Sequence, residues 1–138
     1  MKFDLMTGPL PLPRMQDLAR DAEEAGFSGL VVTEAGRTAY LSCAAAALVS
    51  ELDLLTGVAV AFPRSPMVSA QVAWELAEAT GGRFRLGLGT QVRAHVERRY
   101  SAPFDPPGPR LKEYVEALRA IFRAFRGAAP LSFDGDHY

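Results

Sequence analysis

Gly29-Leu30-Val31-Val32-Thr33 is a short run rich in β-branched residues, with apolar side chains on both faces of any strand it forms. A strand with one wet face alternates apolar and polar residues, whereas a parallel strand covered on both sides does not. The run therefore predicts a buried parallel strand. Upstream, Phe3 to Met6 is a second apolar run, closed by the turn residues Thr7, Gly8 and Pro9. Between the two, Met15, Leu18, Ala19, Ala22 and Ala25 recur at helical spacing, with Asp17, Arg20, Asp21 and Glu24 on the wet side. Pro13 suits the first turn of that helix and Gly26 its stop.

The same alternation continues downstream. Thr38 to Glu51 predicts an alanine-rich helix, and its lack of charge before Glu51 predicts burial on more than one side. Leu54 to Ala61 predicts a third strand, with Gly57 inside it as the mark of a bulge or a close approach. Pro63 and Pro66 lead into a helix striped by Ala70, Ala73, Trp74 and Ala77 and stopped by Gly81-Gly82. Phe84 to Leu88 predicts a fourth strand, followed by Gly89-Thr90 and a proline-rich loop reaching Pro109. The last helix, Pro109 to Arg126, carries Leu111, Tyr114, Val115, Leu118, Ile121, Phe122 and Phe125 on one face, which is expected to pack on the sheet. Arg119, Arg123 and Arg126 gather in its second half, and Leu131 to Tyr138 is expected to be one more extended piece. The order β-α-β-α-β-α-β-α predicts an α/β fold of parallel βα repeats with helices outside the sheet. Residues 1–138 are expected to form a single domain, or half of a larger one.

Composition narrows the class. Apolar residues make up 49% and charged residues 22%, which suits a globular domain and not a disordered chain. Lys+Arg 15 against Asp+Glu 16 leaves no net field to attract nucleic acid or an anionic membrane, so neither is an expected partner. The longest uncharged stretch, Thr38 to Ser50, falls short of the ~20 apolar residues needed to span a bilayer. Asp4 and the prolines at 9, 11 and 13 interrupt any apolar core of a signal peptide. Cys43 is the single cysteine, which excludes intrachain disulfides and makes a reducing cytoplasm the expected compartment.

Five segments, taken in order, resemble the front half of the bacterial luciferase-like monooxygenase superfamily, in particular its F420-dependent branch. They are Gly29-Leu-Val-Val-Thr-Glu34, Thr56-Gly-Val-Ala-Val-Ala-Phe-Pro-Arg-Ser-Pro66, Ala70-Gln-Val-Ala-Trp74, Gly81-Gly-Arg-Phe-Arg-Leu-Gly-Leu-Gly-Thr90 and Phe133-Asp-Gly-Asp-His-Tyr138. The resemblance implies the first four βα units, the N-terminal half, of a (β/α)₈ TIM barrel. Such a barrel in full takes roughly 250 residues. It further implies F420 or FMN bound at the C-terminal ends of the strands, with a small organic molecule as substrate. Glu34 falls where the family has an acidic residue or histidine that touches the cofactor ring or the reacting substrate, and is the expected catalytic residue. Gly57, Val58 and Ala59 fall where the family often has a non-proline cis peptide forming a bulge behind the ring. Gly89, Thr90 and Gln91 complete the expected cofactor-binding set.

Each candidate has a plainer reading beside it. Glu34 also suits a charge at the start of a helix, and Gly57 an ordinary packing glycine. Gly87-Leu-Gly-Thr-Gln-Val92 lacks the third glycine of a dinucleotide fingerprint, so that reading is set aside. His95 can act as a proton donor but more often such a residue is a solvated loop histidine; Arg64 more often anchors a loop than binds a phosphate. Asp134, Asp136 and His137 match no metal-site spacing, and a hairpin explains them better; no metal is expected. Cys43 is expected to be a small core residue. The leading function is an oxidoreductase performing hydride transfer or monooxygenation. The alternative is a non-catalytic relative that assembles and at most binds flavin weakly. Four buried-type strands leave their inner faces open, so a homodimer or larger homo-oligomer is expected.

Overall fold

A computed structural model describes residues 1–138. The elements are β1 (Asp4–Thr7), α1 (Leu12–Glu24), β2 (Gly29–Val32), α2 (Ala39–Ala47), β3 (Asp53–Thr56), β4 (Ala59–Val60), α3 (Pro66–Ala79), β5 (Phe84–Arg85), β6 (Leu88–Gly89), α4 (Arg93–Tyr100) and α5 (Pro107–Phe125). They group into two compact units, one of residues 1–59 and 75–88, the other of residues 60–74 and 89–138.

The first unit is built on a parallel sheet in the order β1-β2-β3-β5. Residues in register share a face, so Leu5, Leu30, Leu54 and Phe84 form one row across it. Leu30 and Leu54 are fully buried, and α1 and α2 pack over this side with Met15, Ala19, Ala39, Cys43 and Ala46. Burying each leucine contributes roughly 1.5–3 kcal/mol. The opposite row is Met6, Val31, Leu55 and Arg85, and it is open: Met6 is 65% exposed and Val31 and Leu55 are half-buried. The strands are thus covered on one face within this unit, where their composition had predicted cover on both.

The helix stops follow the predicted glycines. Gly26 has a positive φ of 85°, its N–H donates to the Glu23 carbonyl, and Phe27 N–H donates to Ala22. That paired arrangement needs a residue free to enter the left-handed region. Gly81 and Gly82 end α3 in the same way, with Gly82 N–H donating to Ala77. α2 is shorter than predicted, stopping at Ala47, and it is buried on more than one side, at Ala39, Tyr40, Ser42, Cys43, Ala45 and Ala46, with Leu41 left 57% exposed.

Two predicted strands are each broken in the middle. The stretch Leu54 to Ala61 is interrupted after Thr56 and resumes at Ala59; Phe84 to Leu88 is interrupted after Arg85 and resumes at Leu88. Apolar residues continue past both breaks, at Val58 to Ala61 and at Leu86 and Leu88, which is why the sequence shows one strand in each place.

In the second unit α5 buries Tyr114, Ala117, Leu118 and Ile121, while Leu111, Val115 and Phe122 are half-buried. The buried stripe is therefore turned toward Ala117 relative to the predicted face. Trp74 of α3 meets Phe122 and Phe125 with ring centroids 6.4 and 5.4 Å apart. The Tyr114 hydroxyl lies 2.6 Å from Ser69 Oγ and donates to the Ser65 carbonyl at 3.1 Å. Helix α4 lies in the segment predicted as loop, with Val96 as its one buried residue. Leu131 to Tyr138 is not a strand. Its last residues turn around Glu113, whose carboxylate accepts the backbone N–H groups of Asp136, His137 and Tyr138. No helix is long and apolar enough to cross a membrane.

Candidate functional site

Parallel strands all point their C-terminal ends one way, so the loops after β1, β2 and β3 collect along one edge of the sheet. Register makes that edge flush: Thr7, Val32 and Thr56 are opposite one another. Thr33 N–H donates to the Thr7 carbonyl at 3.0 Å and Gly57 N–H to the Val32 carbonyl at 2.8 Å. The pairing therefore holds for one residue past each strand before the chain turns away. Glu34, Gly57, Val58 and Ala59 follow, so the first unit carries three of these candidates on loops at one edge and the fourth, Ala59, at the start of β4.

Glu34 is 9% exposed, so its carboxylate is largely withdrawn from water. The Gly57–Val58 peptide is cis. A Cβ on Gly57 would run into Cγ1 of Val31, so close packing on β2 accounts for the glycine. Val58 is 43% exposed, while Ala59 is fully buried and donates its N–H to the Gly87 carbonyl at 2.8 Å.

Beneath Gly57–Val58 lies a contact that sequence reasoning missed. The Thr56 hydroxyl donates to the Gly87 carbonyl at 2.7 Å and accepts the Gly87 N–H at 2.9 Å. Gly87 approaches so closely that a Cβ would overlap the Thr56 carbonyl. No sequence signal joins residues 31 positions apart; the repeated glycines of the Gly81–Thr90 stretch were the nearest hint.

Gly89, Thr90 and Gln91 belong to the second unit. The Gly89 carbonyl accepts the Ala61 N–H at 2.9 Å. Thr90 Oγ1 donates to the Gln91 carbonyl, and Gln91 Oε1 accepts the Val92 N–H, both at 3.0 Å. Gln91 sits at φ 61°, and α4 begins two residues on. These side chains hold their own turn.

The remaining candidates resolve individually. Arg64 Nη1 donates to its own loop at the Val60 carbonyl, 2.8 Å away. His95 lies in the first turn of α4 with its N–H on the Val92 carbonyl. Cys43 is fully buried, and desolvation pushes its thiol up to about 12, so it stays protonated. Burial raises the Glu113 carboxyl, but the N–H groups of His137 and Tyr138 outweigh it and hold the group below its ordinary value. The second unit also contains a cavity of about 490 Å³, lined by Ser65, Met67, Ala117, Ile121, Leu131 and Phe133 among others. No group of three or more His, Cys, Asp or Glu side chains is placed to hold a metal ion.

Comparison with known proteins gives a consistent set of relatives. The family described as luciferase-like monooxygenase matches residues 2–138. An uncharacterised protein of Mycobacterium tuberculosis is 44% identical over 131 residues, which cover 94% of this chain and 38% of the relative. A putative coenzyme F420-dependent oxidoreductase of the same organism is 32% identical over 133 residues, covering 95% of this chain and 38% of the relative. Among solved structures, the monooxygenase RslO1 from Streptomyces bottropensis matches with a TM-score of 0.86 at 21% identity, covering all of this chain and 46% of its own. The oxygenating constituent of 3,6-diketocamphane monooxygenase from Pseudomonas putida, solved with FMN, matches with a TM-score of 0.79 at 17% identity, covering 100% and 42%. The two Mycobacterium tuberculosis relatives are thus matched over little more than a third of their length. The fold is α/β with parallel βα units, and its extent is that of the N-terminal half of a (β/α)₈ barrel.

Proposed function

The chain belongs to the luciferase-like monooxygenase family, and from that membership we propose that it supplies the strand-end edge of an oxidoreductase working with F420 or FMN. The observation that carries this reading is the conjunction on one flush edge of a 9% exposed carboxylate, Glu34, and an open apolar side chain, Val58, next in the chain to the fully buried Ala59. A flat ring needs an apolar surface to lie on and polar groups at its rim, and these residues fit that need. Ionised, Glu34 only accepts hydrogen bonds, so it would hold a ring N–H or a substrate hydroxyl in place. The Gly57–Val58 backbone would support one side of the ring. In the second unit Gly89, Thr90 and Gln91 offer backbone atoms close to their loop surface. When bound, F420 supplies hydride chemistry and FMN supplies oxygen chemistry toward a small organic substrate; the protein positions and shields.

The test is titration of the purified chain with FMN and with F420 separately, followed by oxidation of each reduced cofactor. Saturable binding of one, with turnover, is the expected outcome. Failure of both to bind overturns the proposal and leaves the non-catalytic reading, which is favoured by the open Met6-Val31-Leu55 row.

That row is also the basis for proposing self-association. Its centre is uncharged, Arg85 stands at the β5 end, and Asp4 lies on the same face at the β1 end. A twofold arrangement with β1 facing the partner's β5 would cover the apolar centre and set acid against base.

A further inference from the structure

Thr56 continues the buried side of β3, two residues after Leu54, and is 2% exposed. Valine would suit such a position by shape and by strand preference, and a buried hydroxyl is costly unless it is bonded. Here it is bonded twice, and both bonds go to Gly87. The main-chain pairing of β3 with β5 ends at Leu55 opposite Arg85. Where that ladder lapses, the hydroxyl takes over its work, accepting the Gly87 N–H and donating to the Gly87 carbonyl.

The same carbonyl also accepts the N–H of Ala59. Gly87 is therefore gripped by the residue before Gly57–Val58 and by the residue after them. The two residues between these anchors are bracketed on one glycine, which has no room for a side chain against the Thr56 carbonyl. We propose that Thr56 is a positioning residue: its hydroxyl, clasping Gly87, sets the placement of the Gly57–Val58 backbone against which the cofactor ring lies. This rests on the reading of that edge as the cofactor site. Thr56 itself touches no cofactor in this scheme and acts through the two residues that follow it.

The experiment compares wild type with Thr56→Val, which keeps the shape and deletes the hydroxyl, and Thr56→Ser, which keeps the hydroxyl and deletes the methyl. Amide exchange at Gly87, FMN and F420 dissociation constants, and the absorption envelope of the bound cofactor are measured on each. In Thr56→Val the Gly87 amide is expected to exchange faster, binding to weaken roughly tenfold, as for one net hydrogen bond, and the bound spectrum to change. Thr56→Ser is expected to restore all three. Unchanged affinity and spectrum in Thr56→Val, with the Gly87 amide deprotected, would overturn the positioning role while leaving the cofactor site standing. An unchanged Gly87 amide would overturn the clasp itself. Should Thr56→Val fail to fold, the serine variant still decides, because weakened binding there contradicts a role carried by the hydroxyl. If wild type binds neither cofactor, the reading of the edge fails and takes this proposal with it, an outcome recognisable without any variant.

Discussion

Glu34 is the residue on which the functional reading is most exposed to test. Replacing it with glutamine keeps the volume and removes the charge, so packing changes little while the acceptor character is halved. The expected result is at least a tenfold loss of cofactor-dependent turnover, with a cost in stability of no more than about 1 kcal/mol, the upper end for a helix-start charge. A variant that loses that much stability in thermal melts and keeps full activity would reduce Glu34 to a structural role. The position of Glu34 was legible because a carboxylate just after a run like Gly29–Thr33 has to lie at a strand end. The Thr56–Gly87 clasp was not. A threonine at a strand end is ordinary in sequence, and only the three-dimensional pairing shows that its hydroxyl is matched to a glycine 31 residues away.

Among the elements, α5 offers the clearest energetic test. Leu118 is 3% exposed in the middle of its buried stripe, so Leu118→Ala should cost about 2–5 kcal/mol in urea unfolding. A change under about 0.5 kcal/mol would place the residue with surface positions. Phe125, predicted on the buried face, is 37% exposed, because the stripe turns toward Ala117 and leaves the last turn at its margin. Helix α4 escaped the sequence because Arg93, Glu97, Arg98 and Arg99 surround a single buried Val96, too little to make a period. The segment after α5 makes a pH-dependent prediction. Glu113 has its folded pKa below the ordinary value, so the contribution is fully present above the unfolded glutamate value, near 4.3, and is lost as pH falls through the lower folded one. The neighbouring His137 favours the carboxylate, and Arg110 Nε steadies the same turn by donating to the Tyr138 hydroxyl at 3.0 Å. Amide protection at Asp136, His137 and Tyr138 should therefore persist at neutral pH and fade only in acid. Glu113→Gln, which keeps one acceptor oxygen and loses the charge, should show weaker protection at neutral pH and no fading in acid; equal protection with the same acid dependence in the variant would discount the carboxylate.

For the molecule as a whole, the open row of the first unit predicts association. Sedimentation at micromolar concentration is expected to show a dimer or larger species, and Met6→Lys, at a 65% exposed site, is expected to shift it toward monomer. A compact monomer that takes up no hydrophobic dye would contradict this. The βα alternation and the glycine stops were readable because each is local, set by a few neighbouring residues. The division into two units was not, since it depends on which distant stretches meet. That division has a consequence for how the protein is made. Neither unit is one continuous length of chain: residues 60–74 are inserted between the two segments of the first, and residues 75–88 between those of the second. A ribosome releases the chain from its N-terminal end, so the sheet of the first unit waits for residue 85 before β5 can join it. Residues 60–74 emerge earlier still and have to wait for partners from residue 89 onward. Nascent chains stalled near residue 75 should therefore be far more open to protease and chaperone than chains stalled past α5.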